Sequence, residues 1–236
     1  VIIFANNLLL LAAAWTATSL TLNGLLAFYR DRPVAVAVAH KKFMLARCAD
    51  VAMVGALISL GTTFHTLRID HITTRASESH HLPAGAHIGI TLVAIAAILK
   101  TAQLPFHGWL IQVMEAPTPV SALLHAGVVN LGGFVLLRLA PLVDGTIAAR
   151  TLLVLVGTTT AVVAALVMTT RVSVKVSLAW STCAQMGFML VPCGLGLPHL
   201  ALGHLLAHSL YKAHAFLSAG GAVDTWRKAE IAPRAA

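Results

Sequence analysis

Charged side chains are scarce in this chain. Asp, Glu, Lys and Arg make up only 10% of its 236 residues, hydrophobic residues make up 58%, and the mean hydropathy is +0.85. This composition argues against an ordinary soluble domain and is typical of polytopic membrane proteins. The net charge of +8 would suggest nucleic-acid binding in a soluble protein. Here the basic residues lie between apolar runs, so we expect a lipid bilayer and no nucleic acid as the partner.

The usual signatures of metal and redox sites are also missing. Cys48, Cys183 and Cys193 form no CxxC pair and no cluster with histidine, which argues against a disulfide framework, a structural zinc site and an iron–sulfur cluster. The sequence has neither a P-loop nor a glycine-rich dinucleotide fingerprint. We therefore expect no catalytic residue, cofactor or metal site in this chain. It opens on an apolar run without a signal peptide, which suggests a fragment of a longer protein.

Long apolar runs predict an all-α fold, a polytopic bundle of about seven transmembrane helices within one domain, residues 1–236. Sheet is improbable, because the runs are much longer than strands and do not alternate. Turn-forming residues such as Asp70-His71 and Asp144-Gly145 separate the segments. The predicted helices are Phe4–Phe28, Phe43–Leu67, Ala86–Met114, Pro117–Leu142, Thr151–Thr169, Val172–Leu195 and Pro198–Ala222.

The basic residues predict an orientation. Ten of the sixteen Lys and Arg residues fall in alternate connections on one side, four on the other, and Lys100 and Lys212 within the membrane. The positive-inside rule places the ten-charge side in the cytoplasm. Those ten residues are Arg30, Arg32, Lys41, Lys42, Arg47, Arg171, Lys175, Arg227, Lys228 and Arg234.

Lys100 follows an apolar run and precedes further membrane-compatible sequence. An ammonium at that depth costs about 2.5 to 3.5 kcal/mol on translocon scales, so such a residue normally faces a bundle interior or a water-filled path. Pro105, five residues later, removes a backbone donor and predicts a broken helix that lines a wet cavity. The alternative is a lysine that only snorkels to the membrane surface.

Histidines occur on two other predicted helices. His125 follows Ser121 by four residues and is suited either to proton relay or to a structural hydrogen bond. His204, His208 and Lys212 recur every four residues and therefore lie on one helix face. They form a candidate proton wire. A polar stripe that only holds helices together is the main alternative, and zinc binding is a weaker one because no third ligand is evident.

Several motifs resemble the antiporter-like subunits of respiratory complex I and of multisubunit cation/proton antiporters. The longest are KTAQLPFHGWL at 100–110 and MEAPTPVSALLHA at 114–126. RCAD at 47–50, LAWSTCAQMG at 178–187 and the region 204–220 extend the resemblance over most of the chain. It implies that the chain is the middle portion of a subunit of about fourteen helices.

The resemblance also implies roles for individual residues. Lys100 would carry protons at the broken helix, His125 and Lys175 would lie on a central hydrophilic axis, and the axis would continue through His204, His208 and Lys212. In the family a glutamate that pairs with the lysine usually follows the tryptophan of an earlier helix. Here Thr16 follows Trp15, so the familiar ion pair cannot form, and Asp50 is the candidate counter-ion.

Within the superfamily, AWTATSL at 14–20, YRDRP at 29–33 and HSLYKAHAFL at 208–217 look most like the DabB-type membrane subunit of the DAB inorganic-carbon accumulation system. That resemblance implies a bacterial inner-membrane subunit that translocates protons or sodium. Its partner would be a large peripheral protein, similar to a β-carbonic anhydrase and holding zinc, which converts CO2 to bicarbonate. A proton-pumping subunit of NADH:quinone oxidoreductase or of a cation antiporter is the alternative, and a non-conducting structural subunit is a third.

Overall fold

A computed structural model describes residues 1–26, 33–79, 81–113 and 118–231, with the side chains of 33–35 and 219–231 left out. The described residues are almost entirely helical and contain no strand, only an isolated bridge between Asn7 and Arg68. The helices are α1 (Leu8–Leu26), α2 (Pro33–Phe64), α3 (Ile69–Glu78), α4 (Ala84–Lys100), α5 (Gly108–Gln112), α6 (Thr118–Ala126), α7 (Leu131–Arg138), α8 (Ala140–Asp144), α9 (Ile147–Thr169), α10 (Val174–Leu195) and α11 (Pro198–Ile231). The all-α prediction is confirmed.

Each of the seven predicted apolar segments contains helix in its described residues. In the described part of the chain, five helical stretches are long and apolar enough to cross a bilayer: Leu8–Leu26, Val36–Phe64, Thr118–Arg138, Ile147–Thr169 and Val174–Leu195. The apolar helix α4 is shorter, because it ends at Lys100, and α11 is not among the five. The predicted helix ends at Phe28 and Met114, and the start at Pro117, lie outside the described residues.

Large apolar side chains face outward along the bundle. Val51 on α2, Leu155 and Leu166 on α9, and Leu210 on α11 are each more than 60% exposed. Exposed apolar surface on this scale marks a face that lipid or other helices cover. The arrangement therefore agrees with the membrane class that the composition predicts.

Tight helix packing positions the polar residues of α10. A Cβ atom added at Gly187 would lie 2.6 Å from the Gly157 carbonyl oxygen and from the Ala161 nitrogen of α9. Small residues let two helix backbones approach closely in a membrane bundle. Helix α10 also packs against α11, and polar side chains of these two helices are in contact.

The broken helix after Lys100 is confirmed. Helix α4 ends at Lys100, Ala102 adopts a positive φ of 52°, and the short helix α5 starts at Gly108. A non-glycine residue in the left-handed region cannot continue an α-helix. The break therefore begins at Ala102, ahead of Pro105.

The fourth predicted segment is also interrupted. Helix α6 stops at Ala126, a 3₁₀ turn covers Val128–Asn130, and α7 follows. Asn130 Nδ2 donates hydrogen bonds to the Ala126 carbonyl at 2.8 Å and to Ser209 Oγ of α11 at 2.7 Å. The interruption leaves carbonyl groups at the end of α6 without partners in that helix, so they are able to accept hydrogen bonds from other helices.

The predicted interruption at Asp70-His71 is instead the amphipathic helix α3. Its buried residues Ile69, Ile72 and Ala76 share one face, a stripe too short to register as an apolar run. Arg68 forms an exposed ion pair with Asp70 at 2.7 Å, and its hydrogen bonds hold the pKa of that carboxyl below its usual range.

Candidate functional site

Lys100 is buried at the end of α4 and reaches α1. Its Nζ atom donates to Ser19 Oγ and, at 3.2 Å, to the Trp15 carbonyl, and it lies 4.3 Å from the centroid of the Trp15 ring. The side chain is only 6% exposed. The amine is thus held by neutral dipoles and a π face, at the part of α1 that carries Thr16.

Polar groups freed by the break find partners within the protein. Gln103 Nε2 donates to the Thr101 carbonyl and to Thr101 Oγ1, both at 3.2 Å, and Leu104 N donates to Thr160 Oγ1 of α9 at 3.1 Å. These bonds explain how an irregular segment is tolerated inside the bundle. Gln103 Oε1 remains buried without a partner among the described residues.

Lys42 belongs to the same cluster, and its prediction as a loop charge is wrong. Helix α2 begins ten residues before its predicted start, which places Lys42 inside the helix, 4% exposed. Its Nζ atom donates to the Ser19 carbonyl at 2.9 Å. The signal in the sequence is spacing: Lys42 lies on the same helical face as the buried residues Ala46, Ala49 and Met53.

The structure does not join Asp50 to Lys100. The Asp50 carboxylate lies 2.8 Å from Arg47 Nη2, one turn earlier on α2. Neither of its oxygens has a hydrogen bond of good geometry in the described part of the chain. No ion pair connects Asp50 with Lys100 or Lys42 there either, so its role as a direct counter-ion has no contact to support it.

Lys212 is the centre of a second buried cluster. It is fully buried on α11, and its Nζ atom donates to Ser181 Oγ at 2.8 Å and to the Leu178 carbonyl at 3.1 Å, both on α10. An amine without exposure requires such partners, because desolvation penalises it strongly. Ser181 is in turn 3.5 Å from Gln185 Nε2, one turn along α10.

His208 connects α10, α11 and α6. Its Nδ1 atom lies 2.6 Å from Gln185 Oε1, and its Nε2 atom lies 3.1 Å from the His125 carbonyl. That carbonyl is available because α6 ends one residue later, at Ala126. The helix interruption therefore creates the acceptor for His208.

His125 itself is fully buried. Its Nδ1 atom lies 3.1 Å from Thr182 Oγ1, and its ring stacks on Phe216 with centroids 4.3 Å apart. The Nε2 atom has no partner among the described residues. A hydrogen-bonded series thus runs from Lys212 through Ser181, Gln185 and His208 to the carbonyl oxygen of His125. The His125 imidazole makes a separate contact with Thr182.

Gln185 links the two titratable groups of this series. With Oε1 facing His208, both ring nitrogens of His208 meet acceptors, which suits the doubly protonated ring. Rotating the amide presents Nε2 to His208 and Oε1 to the Ser181 hydroxyl, which suits the neutral ring. The orientation of one amide thereby couples the protonation of His208 to the hydroxyl beside Lys212.

The remaining predicted residues lie at the edge of the site or away from it. His204 Nε2 donates to the Gln185 carbonyl at 3.0 Å, and its ring is 5.9 Å from that of His208. Lys175 is half-buried in the first turn of α10, and no hydrogen bond or ion pair joins it to the other candidates in the described residues. The described part of the chain also holds no group of three or more metal-ligating side chains.

Sequence reasoning missed the neutral members of both clusters. Ser19, Ser181, Thr182 and Gln185 carry no charge and do not stand out in a membrane sequence. The spacing of Ser181 and Gln185, four residues apart on α10, gives a usable signal, because it places them on one helix face. In the described residues no direct hydrogen bond joins the Lys100 cluster to the Lys212 cluster.

Buried amines and imidazoles on interrupted helices define a multi-pass integral membrane protein with a polar interior. A family model described as NADH:quinone oxidoreductase/Mrp antiporter, TM matches residues 5–232. The chain therefore belongs to this antiporter-like family, and the resemblance predicted from its motifs is confirmed.

Individual relatives give a finer comparison. The chain is 52% identical over 230 residues to the probable inorganic carbon transporter subunit DabB of Hydrogenovibrio crunogenus, covering 98% of this chain and 44% of the relative. It is 49% identical over 232 residues to the probable inorganic carbon transporter subunit DabB2 of Halothiobacillus neapolitanus, covering 98% and 42%. The chain thus spans less than half the length of these relatives.

A solved structure shows the same fold. The Mrp complex from a Dietzia species aligns with a TM-score of 0.86 at 32% identity, covering 93% of this chain and 24% of that one. The match confirms that this bundle corresponds to part of a larger antiporter-like subunit.

Proposed function

We propose that this chain is part of a proton-translocating membrane subunit that energises the accumulation of inorganic carbon as bicarbonate. The observation that carries the proposal is the hydrogen-bonded series from Lys212 through Gln185 and His208 to His125. The similarity to relatives named as probable inorganic carbon transporter subunits supports the substrate class.

The chemistry of the series suits stepwise proton movement. Lys212 and His208 each bind or release a proton, and Ser181 and Gln185 hold them in relation to one another without taking a net charge. Lys100 would supply a further proton-binding amine at the broken helix. Water within the bundle would complete the path between the two clusters.

The carbon chemistry would take place in a partner. We propose a large peripheral zinc-containing protein, similar to a β-carbonic anhydrase, on the cytoplasmic side of a bacterial inner membrane. Proton entry through this subunit would drive a change in that partner that makes CO2 hydration effectively one-way. Zinc would belong to the partner, and no step is assigned to a metal in this chain.

Affinity purification of the full-length protein from its native membranes tests the proposal. Mass spectrometry and zinc analysis should find one large zinc protein with carbonic-anhydrase-like ligands. Co-expression of both proteins should raise cellular inorganic carbon, and an uncoupler should abolish the rise. Co-purification without a rise in inorganic carbon would overturn the proposed function.

The second candidate is a proton-pumping subunit of NADH:quinone oxidoreductase or of a cation/proton antiporter. The family match and the aligned Mrp structure favour it. It predicts co-purification with redox or antiporter subunits and cation-dependent proton exchange in membrane vesicles. The absence of both would remove it.

A further inference from the structure

Lys42 is a second buried lysine within a helix long enough to cross a bilayer. It lies in Val36–Phe64 of α2, one of the five long apolar stretches, and is 4% exposed. An amine at such a position is costly, so an ionisable residue inside a membrane bundle indicates a functional site with a partner nearby. The hydrogen-bonded series from Lys212 toward His125 does not include Lys42. Its role therefore has to follow from its own surroundings.

Lys42 and Lys100 meet at one residue of α1. Lys42 donates to the Ser19 carbonyl at 2.9 Å, and Lys100 donates to Ser19 Oγ and, at 3.2 Å, to the Trp15 carbonyl. Both lysine side chains are more than nine-tenths buried. A buried lysine amine gains and loses a proton more readily than an exposed one. Helices α1, α2 and α4 thus hold two such amines at the same place.

Two further ionisable groups of α2, Arg47 and Asp50, act electrostatically on both lysines. They pair with each other at 2.8 Å. Among the described residues, neither forms a hydrogen bond or an ion pair with Lys42 or Lys100. The shared contact with Ser19 therefore indicates Lys100 as the titratable partner of Lys42.

A small cavity lies against both lysines. Lys42, Lys100 and Trp109 line it, together with apolar side chains. Its volume is about 10 Å³, which is about the probe volume of one water molecule. The Trp109 indole N–H is buried and has no acceptor among the described residues. A water molecule here would accept hydrogen bonds from the indole and one ammonium and donate one to the other amine, which gives it enough partners for a buried site.

We propose that Lys42 is a proton-carrying residue that exchanges protons with Lys100 through one water molecule in this cavity. In each transfer the water gives a proton to the neutral Lys42 amine and takes one from the Lys100 ammonium. One N–H bond forms at Lys42 while one breaks at Lys100, and the reverse transfer returns the proton. The inference rests on the proposed proton translocation and adds to it a residue whose sequence position resembles a loop charge.

Proton uptake into liposomes that contain the full-length subunit and its partner tests the role of Lys42. Lys42→Arg keeps the positive charge and the N–H donors, but a guanidinium does not release a proton at working pH. We expect flux to fall about a hundredfold, the effect of losing one proton-transfer group, with the thermal midpoint unchanged. Lys41→Arg is the matched control. Lys41 is exposed and contacts Gln112 Oε1 at 3.4 Å, so this variant should retain normal flux.

Lys42→Met keeps the test informative if Lys42→Arg does not fold, because methionine is a flexible side chain that fills the space without a charge. We expect the same loss of flux in this variant. Normal flux in either folded variant would overturn the proposal, because a fixed charge or packing alone would then suffice. A complete lack of flux in the unmodified complex would instead contradict the proposed function itself. The two failures are therefore distinguishable.

Discussion

His208 Nδ1 and Gln185 Oε1 lie 2.6 Å apart, the shortest link in the series that runs from Lys212 toward His125. The contact joins the half-buried Gln185 of α10 to the buried His208 of α11. Because the amide presents either an oxygen or an N–H group to the ring, Gln185 is able to partner both protonation states of His208. This property makes the contact compatible with proton movement.

Gln185→Met should impair transport without preventing assembly. Methionine fills a similar volume but offers His208 Nδ1 and Ser181 no comparable partner. We expect proton flux in liposomes to fall about tenfold, the effect of losing one hydrogen bond worth about 1.4 kcal/mol at a functional group. Co-purification of the partner should be unaffected. Unchanged flux would show that the amide only packs.

Thr182→Val should destabilise the protein by removing the hydroxyl 3.1 Å from His125 Nδ1. A buried imidazole nitrogen left without a partner costs about 1–3 kcal/mol. Thr169→Val is the control, because Thr169 is exposed and its hydroxyl bonds only the nearby Leu166 carbonyl. Thermal unfolding of the detergent-solubilised protein should separate the two variants. Equal thermal midpoints for the two variants would contradict the role of the Thr182 hydroxyl as a stabilising partner of His125.

Gly187→Ala should force α9 and α10 apart. The added Cβ would lie 2.6 Å from backbone atoms of α9 that cannot move independently, and such overpacking costs about 1–3 kcal/mol. Gly203→Ala, also within a helix but with open space around it, should be neutral or stabilise by about 0.5–1 kcal/mol. Thermal midpoints of the two variants provide the measurement, and a stable Gly187→Ala protein would argue against the close approach.

The features predictable from sequence were those with a strong local signal. The broken helix was predicted from Lys100 inside an apolar run and Pro105 after it. The polar stripe was predicted from the four-residue spacing of His204, His208 and Lys212. Periodicity and proline chemistry act over a few residues, so they are readable without the fold.

The rest depended on contacts between distant segments. Lys42 looks like a loop charge beside Lys41 until packing shows that one lysine faces the core and the other faces outward. The break after Ala126, which frees the His125 carbonyl for His208, has only Gly127 as a local signal. Partners on other helices follow from tertiary packing, which one sequence does not specify directly.

Proton uptake into liposomes containing the full-length subunit with its partner, followed with a pH-sensitive dye under an imposed potential, tests the central claim most directly. Lys212→Met removes the buried amine of the series, and the control Lys41→Met removes an exposed lysine of α2 whose amine lies 3.4 Å from Gln112 Oε1. We expect background flux for Lys212→Met and a flux close to the unmodified rate for Lys41→Met. No flux in the unmodified complex, or equal flux in all three proteins, would contradict it.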